Sequence, residues 1–216
     1  MAIEETSHDE HAVTRDHWWW RPGWSIGKSF YTWHITFRSA SPVRELSDVF
    51  APTLSAVPTM ELVSAEGLHI TVQGIGFTDV VPRSDVDRIV DATRRNLAEL
   101  ARFTVTIGPP IVDSETIQLP IADPEPLRAV RDRLQTAIAE VWGAANVPDQ
   151  GSAYRPHLTV SYSTGVAPIE ELRGKLEADQ FDGYTITDMV SEVSLIELNR
   201  DHGRYEWREV TSVALQ

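Results

Sequence analysis

Leu68-His69-Ile70-Thr71-Val72 and Pro156-His157-Leu158-Thr159-Val160 repeat one pattern 88 positions apart (157 − 69). Each stretch reads as a β-strand, in which alternate side chains share a face. His69 and Thr71 therefore point one way, with Leu68, Ile70 and Val72 pointing the other. His157 and Thr159 stand likewise in front of Leu158 and Val160. A buried strand has no use for an imidazole and a hydroxyl side by side. Two such pairs ask for one explanation.

Outward from these strands the order of elements repeats. A His-x-Thr strand, a helix and a further strand occupy 68–107, and the same order returns at 157–198. Ser84 with Asp87 has the form of a capping box for a helix to about residue 101, followed by a strand at 103–107 that stops at Pro109-Pro110. Asp123-Pro124 opens a second helix, with Leu127, Val130, Leu134, Ile138 and Val141 on one face and Gly143 past its end. Pro168 starts a shorter helix to about residue 178. Residues 189–198 and 205–215 alternate as strands around the turn NRDHGR. Upstream, 29–38 alternates as a strand, Pro42 opens a helix to about residue 52, and 61–64 and 116–119 make short strands. Two equivalent units of this kind can set their motif strands side by side across a pseudo-twofold axis, with the four polar side chains converging in one cleft.

Two imidazoles titrating near neutrality can divide labour, one taking a proton from a nucleophile and the other giving one to a leaving oxygen. Threonine hydroxyls two positions along can donate to non-bridging phosphate oxygens as charge builds there. The chemistry this suits is phosphodiester chemistry, and the scheme calls for no metal and no other cofactor. A third His-x-Thr, His34-Ile35-Thr36, lacks a setting like PHLTV, and its histidine reads as a cleft-lining or structural residue before a catalytic one. Zinc held by His34, His69 and His157 is the rival arrangement; it leaves the threonines without a role. Arg155, if the strand already runs there, shares a face with His157 and can meet a phosphate; the alternative is a surface arginine before Pro156. Tyr162 can stack on a base, and packing explains it as well.

Bulk properties narrow the partners. The chain of 216 residues has a formal net charge of −13 and no Lys/Arg cluster, so a long duplex nucleic acid, which demands a basic track, is a poor fit. A nucleotide or a short RNA end fits better. The absence of cysteine excludes a disulfide framework, a thiolate nucleophile and a Cys-type zinc site. No apolar run is long enough to span a bilayer, and the acidic start lacks a signal core, so the expected location is the cytoplasm. Residues 1–28 form an N-terminal arm, acidic and loosely attached to about residue 17, with His8, His11 and His17 solvated. Beyond that the arm is Trp-rich (HWWWRPGW), where the rings serve as a clamp onto the body. Residues 29–216 form a single domain.

LHITVQGIGF and RPHLTVSYS resemble the two motif strands of the two-histidine (2H) phosphoesterase superfamily, in the branch called the 2′-5′ RNA ligase family. The resemblance covers roughly residues 29–215 in layout, and only the motifs are sharp. It implies an α+β, bilobal fold, two pseudo-symmetric lobes of mainly antiparallel sheet with outer helices around a central cleft. It further implies metal-independent work on 2′,3′-cyclic phosphates, 2′-5′ linkages or cyclic nucleotides, with RNA ligation or bare nucleotide binding as alternatives. By that resemblance His69 and His157 are the acid/base pair, and Thr71 and Thr159 hold the phosphate. Gly74-Ile75-Gly76-Phe77 departs from the family's Leu-Gly turn, and Gly74 marks an expected bulge or close backbone approach.

Overall fold

A computed structural model describes residues 12–151 and 153–216. Its elements run β1 (Phe30–Thr36), α1 (Leu46–Leu54), β2 (Met60–Leu62), β3 (His69–Phe77), α2 (Arg83–Leu97), β4 (Phe103–Ile107) and β5 (Ile111–Val112). Then follow β6 (Thr116–Pro120), α3 (Glu125–Trp142), β7 (His157–Ser163), α4 (Ile169–Ala178), β8 (Ile186–Val190), β9 (Glu192–Asn199) and β10 (Glu206–Ala214). The main sheet has the order β10-β9-β1-β3-β7-β6-β5, with β2 also on β7, and β4-β8 form a separate pair. Every ladder is antiparallel. The fold is therefore mixed α and β, with helices laid on antiparallel sheet. Helix α2 packs on α3 and β10, and α3 on β3; α1 packs on β2 and β7, and α4 on β5. Each half of the sheet thus has its own helical cover, and the halves meet at β3 and β7.

That meeting point is narrow. The ladder between the two motif strands consists of Ile70 opposite Leu158. Both side chains are fully buried, as are Val160 and, nearly so, Val72. Counting outward in antiparallel sense sets His69 across from Thr159 and Thr71 across from His157. A local twofold axis passes through the Ile70–Leu158 pair, and all four polar side chains leave the sheet on the face opposite the apolar core.

β3 carries two bulges against β1. His34 opposes Thr71 but Trp33 opposes Gln73, and Thr32 opposes Gly74 but Tyr31 opposes Gly76, so Val72 and Ile75 are the extra residues. The bulge expected around Gly74 is present, and it has a consequence for the side chains. Gln73 turns with Trp33 toward α3, where it accepts from Arg131 Nε at 3.0 Å and Gln135 Nε2 at 2.9 Å. Gly74 turns toward the cleft; a Cβ there would lie 3.1 Å from the Phe30 ring.

Several sequence expectations need correction. The helix after β3 starts at Arg83 with Pro82 before it and no side-chain cap, so Ser84 lies inside the helix and makes no capping box. Asp87 instead pairs with Arg83. The single helix expected from Pro42 is a 3-10 turn, Pro42–Glu45, followed by α1, which tolerates Pro52 inside it. The strand expected over 189–198 is two strands, because Ser191 separates β8 from β9 and they join different sheets. β7 begins at His157, not at Arg155. No helix among the described residues is long and apolar enough to cross a membrane.

Candidate active site

His69 and His157 are held in the same way. His69 Nδ1 lies 2.7 Å from the Gly67 carbonyl and His157 Nδ1 lies 2.9 Å from the Arg155 carbonyl, each two residues upstream. A carbonyl oxygen only accepts, so in both rings Nδ1 carries the hydrogen and a neutral ring has its lone pair on Nε2. Burial lowers the His69 pKa to about 4, against the pull of the Gly67 carbonyl and helped by the His157 charge. His69 is therefore a neutral imidazole at pH 7. His157 is exposed to solvent.

His34, which sequence reading placed in the cleft, lies there and is almost fully buried. Its ring stacks on His69 with centroids 4.5 Å apart and planes 5° from parallel. Nε2 sits 3.3 Å from Thr71 Oγ1, while Nδ1 is buried with no hydrogen-bond partner among the described residues. Leaving a buried polar atom unpaired costs about 1–3 kcal/mol. Burial, then the neighbouring His69, holds the His34 pKa well below the usual range, so this ring is a neutral plate behind the first motif. The parallel stack also turns the in-plane lone pairs of His34 and His69 along separate lines, which does not suit a shared zinc ion. Among the described residues no three His, Asp or Glu side chains cluster to hold a metal.

A cavity of about 300 Å³ opens over these rings. His34, His69, Thr71, His157, Thr159 and Tyr162 all line it. Arg155 is not among the lining residues: with β7 starting at His157, strand alternation does not extend back through Pro156. Arg155 instead serves the site through its carbonyl. Tyr162 is buried, and its ring packs at 4.3 Å against His17.

The cavity also holds residues that sequence reasoning missed: His17, Thr116, Asp149 and Tyr205. His17, expected to be solvated, is 7% exposed. The segment carrying it is not loosely attached over its described part: Val13 bridges Pro168, and Thr14 is buried. Trp18 packs on Tyr162 and Tyr205, and Trp24 on Phe30 and Phe77, so these rings are the expected clamp. His8 and His11 lie outside the described residues. The one signal for His17 was the alternation Arg15, His17, Trp19, Arg21, and nothing in the sequence named its partner.

The family model for the 2′-5′ RNA ligase superfamily matches residues 39–202. Among solved structures, TT0787 of Thermus thermophilus superposes with a TM-score of 0.66 at 14% identity, over 86% of this chain and 97% of that one. E. coli LigT in its apo form gives 0.59 at 15% identity, over 88% of this chain and 98% of that one. E. coli LigT complexed with 3′-AMP gives 0.62 at 16% identity, over 88% and 99%. These likenesses show a shared fold. No curated protein matches the sequence.

Proposed function

Because this chain belongs to the 2′-5′ RNA ligase superfamily of 2H phosphoesterases, we propose that it is a phosphodiesterase acting on nucleotides. Its substrate is a 2′,3′-cyclic phosphate, a 2′-5′ linkage or a cyclic nucleotide. The observation that carries this reading is the pair of Nδ1-anchored imidazoles, each with a threonine hydroxyl beside it, in one cavity. His69, kept neutral by its surroundings, takes a proton from water as the oxygen attacks phosphorus in line. Protonated His157 gives its Nε2 proton to the ribose oxygen as the P–O bond breaks. Thr71 and Thr159 donate to the non-bridging oxygens, whose charge grows in the transition state. The reverse sequence joins ends, which is ligation. A relative, LigT, bound to 3′-AMP supports a nucleotide as the ligand class.

The test is a panel of 2′,3′-cyclic mononucleotides, 3′,5′-cyclic mononucleotides and 2′-5′ dinucleotides incubated with the chain in EDTA, with products read by phosphorus NMR. Conversion of at least one panel member to a phosphomonoester is expected. Binding of these ligands without turnover would instead make the chain a nucleotide-binding module.

A further inference from the structure

His17 and Tyr205 lie outside the matched span 39–202, yet both line the cavity. His17 arrives on a segment gathered by a single carboxylate. Arg15 donates from Nε to Glu115 Oε1 at 2.8 Å and Trp19 from Nε1 to the same oxygen at 3.1 Å. Arg21 donates from Nη2 to Oε2 at 2.5 Å. His17 Nδ1 lies 3.2 Å from Oε2. The backbone is tied as well: the amides of Thr14, Arg15 and His17 donate to Ala167, Ser114 and Ser163, each at 2.8 Å. Buried Arg200 donates to the His17 carbonyl at 3.0 Å. A side chain held this way is a fixed part of the wall.

The direction of each hydrogen bond follows from what each atom can carry. Burial alone raises the Glu115 carboxyl, but the Trp19 hydrogen bond and the Arg21 charge outweigh it and keep the carboxylate ionised. An ionised carboxylate only accepts, so His17 Nδ1 carries the hydrogen. Burial, with the Arg21 charge adding to it, lowers the His17 pKa to about 4, which leaves Nε2 bare at pH 7. The Tyr205 hydroxyl lies 3.0 Å from that nitrogen and must donate to it. Burial also raises the Tyr205 phenol, so it keeps the proton it donates. With its hydrogen committed to His17, the hydroxyl has only an acceptor oxygen left for the cavity. A freely rotating hydroxyl serves donors and acceptors alike; this one serves donors.

We propose that the Glu115–His17–Tyr205 chain makes Tyr205 a specificity-determining acceptor for an O–H or N–H donor on the nucleoside half of the ligand, the 2′-hydroxyl of the sugar or a base amine. The proposal rests on the nucleotide reading above. Two observations locate the donor on the nucleoside. The Tyr205 ring stands edge-on to His69 with centroids 5.9 Å apart, next to the imidazole that addresses phosphorus. The cavity, about 300 Å³, is at the small end of ligand pockets and suits a mononucleotide, whose sugar and base lie next to its phosphate.

The test is calorimetry on the full chain with three ligands: 3′-AMP, its 2′-deoxy analogue, and the purine riboside 3′-phosphate that lacks the amino group. Wild type is expected to bind 3′-AMP about three- to tenfold more tightly than one of the analogues, the size of one neutral hydrogen bond. Loss with the deoxy analogue assigns the sugar hydroxyl; loss with the other assigns the amine. Tyr205→Phe is expected to erase that difference while leaving the weaker ligand's affinity in place. His17→Phe keeps a ring against Tyr162 but releases the Tyr205 hydroxyl, and discrimination should narrow in the same way. Equal affinity of wild type for all three ligands overturns the proposal, as does a Tyr205→Phe variant that weakens all three alike. A wild type that neither binds these ligands nor turns over any cyclic nucleotide overturns the nucleotide reading itself, and the two failures are told apart by whether binding is seen.

Discussion

A neutral imidazole has one hydrogen and one lone pair, and here the main chain decides which nitrogen gets which. At both motifs the carbonyl two residues upstream takes the Nδ1 hydrogen, so both rings offer Nε2. This arrangement needs no acidic partner, unlike a triad in which a carboxylate orients the ring. His69→Ala and His157→Ala are each expected to lower kcat by about 10²- to 10⁴-fold on a cyclic nucleotide, the usual contribution of general acid–base groups. The urea midpoint of exposed His157→Ala should stay close to wild type. Turnover at the wild-type rate in either variant would remove the assigned roles. Both histidines were legible because strand alternation is a short-range rule that needs only neighbouring residues. His34 was set apart from the motif pair because its strand lacks their apolar setting, but its stack on His69 depends on the β1–β3 register and on the bulge at Val72, which local sequence does not encode. For Arg155 the condition that the strand already runs there is not met, since alternation does not extend across a proline that the strand does not include.

At the level of elements, β3 and β7 were recoverable from pattern, while the breaks and edges were not. Ser191 divides what alternation joined, because two consecutive strands with the same period look like one until their partners are known. The N-terminal segment is the larger omission. Its order comes from Glu115, about a hundred residues away, which collects donors from Arg15, His17, Trp19 and Arg21. Removing that carboxylate leaves a buried imidazole N–H and the indole of Trp19 without their acceptor. Glu115→Ala is expected to destabilise the chain by about 2 kcal/mol, measured as a shift in the urea midpoint, and to admit protease within residues 12–21. A variant as stable and as protease-resistant as wild type would show that the backbone ties suffice alone.

For the whole molecule, the burial of several neutral imidazoles links stability to pH. His17 and His69 titrate at about 4 when folded, whereas an unfolded histidine titrates near 6.5, and His34 is shifted in the same direction. Between those values the unfolded chain binds protons that the folded chain refuses, so stability rises with pH there. The contribution is present in full above pH 6.5 and is lost as pH falls toward 4, by up to about 3 kcal/mol each for His17 and His69. Urea midpoints should therefore drop between pH 7 and pH 5, above the range where carboxylates titrate, and His17→Phe should flatten that slope; an unchanged midpoint would contradict the burial of these rings as neutral groups. The twofold relation of the motif strands has its own consequence. Equivalent groups on both sides would let a cyclic ester lie in either of two opposed poses and release either ribose oxygen. Among the described residues, however, only the first motif is backed by a second imidazole plate, while its counterpart faces water. That inequality favours one pose, so the ring-opened product should be a single positional isomer and not a mixture.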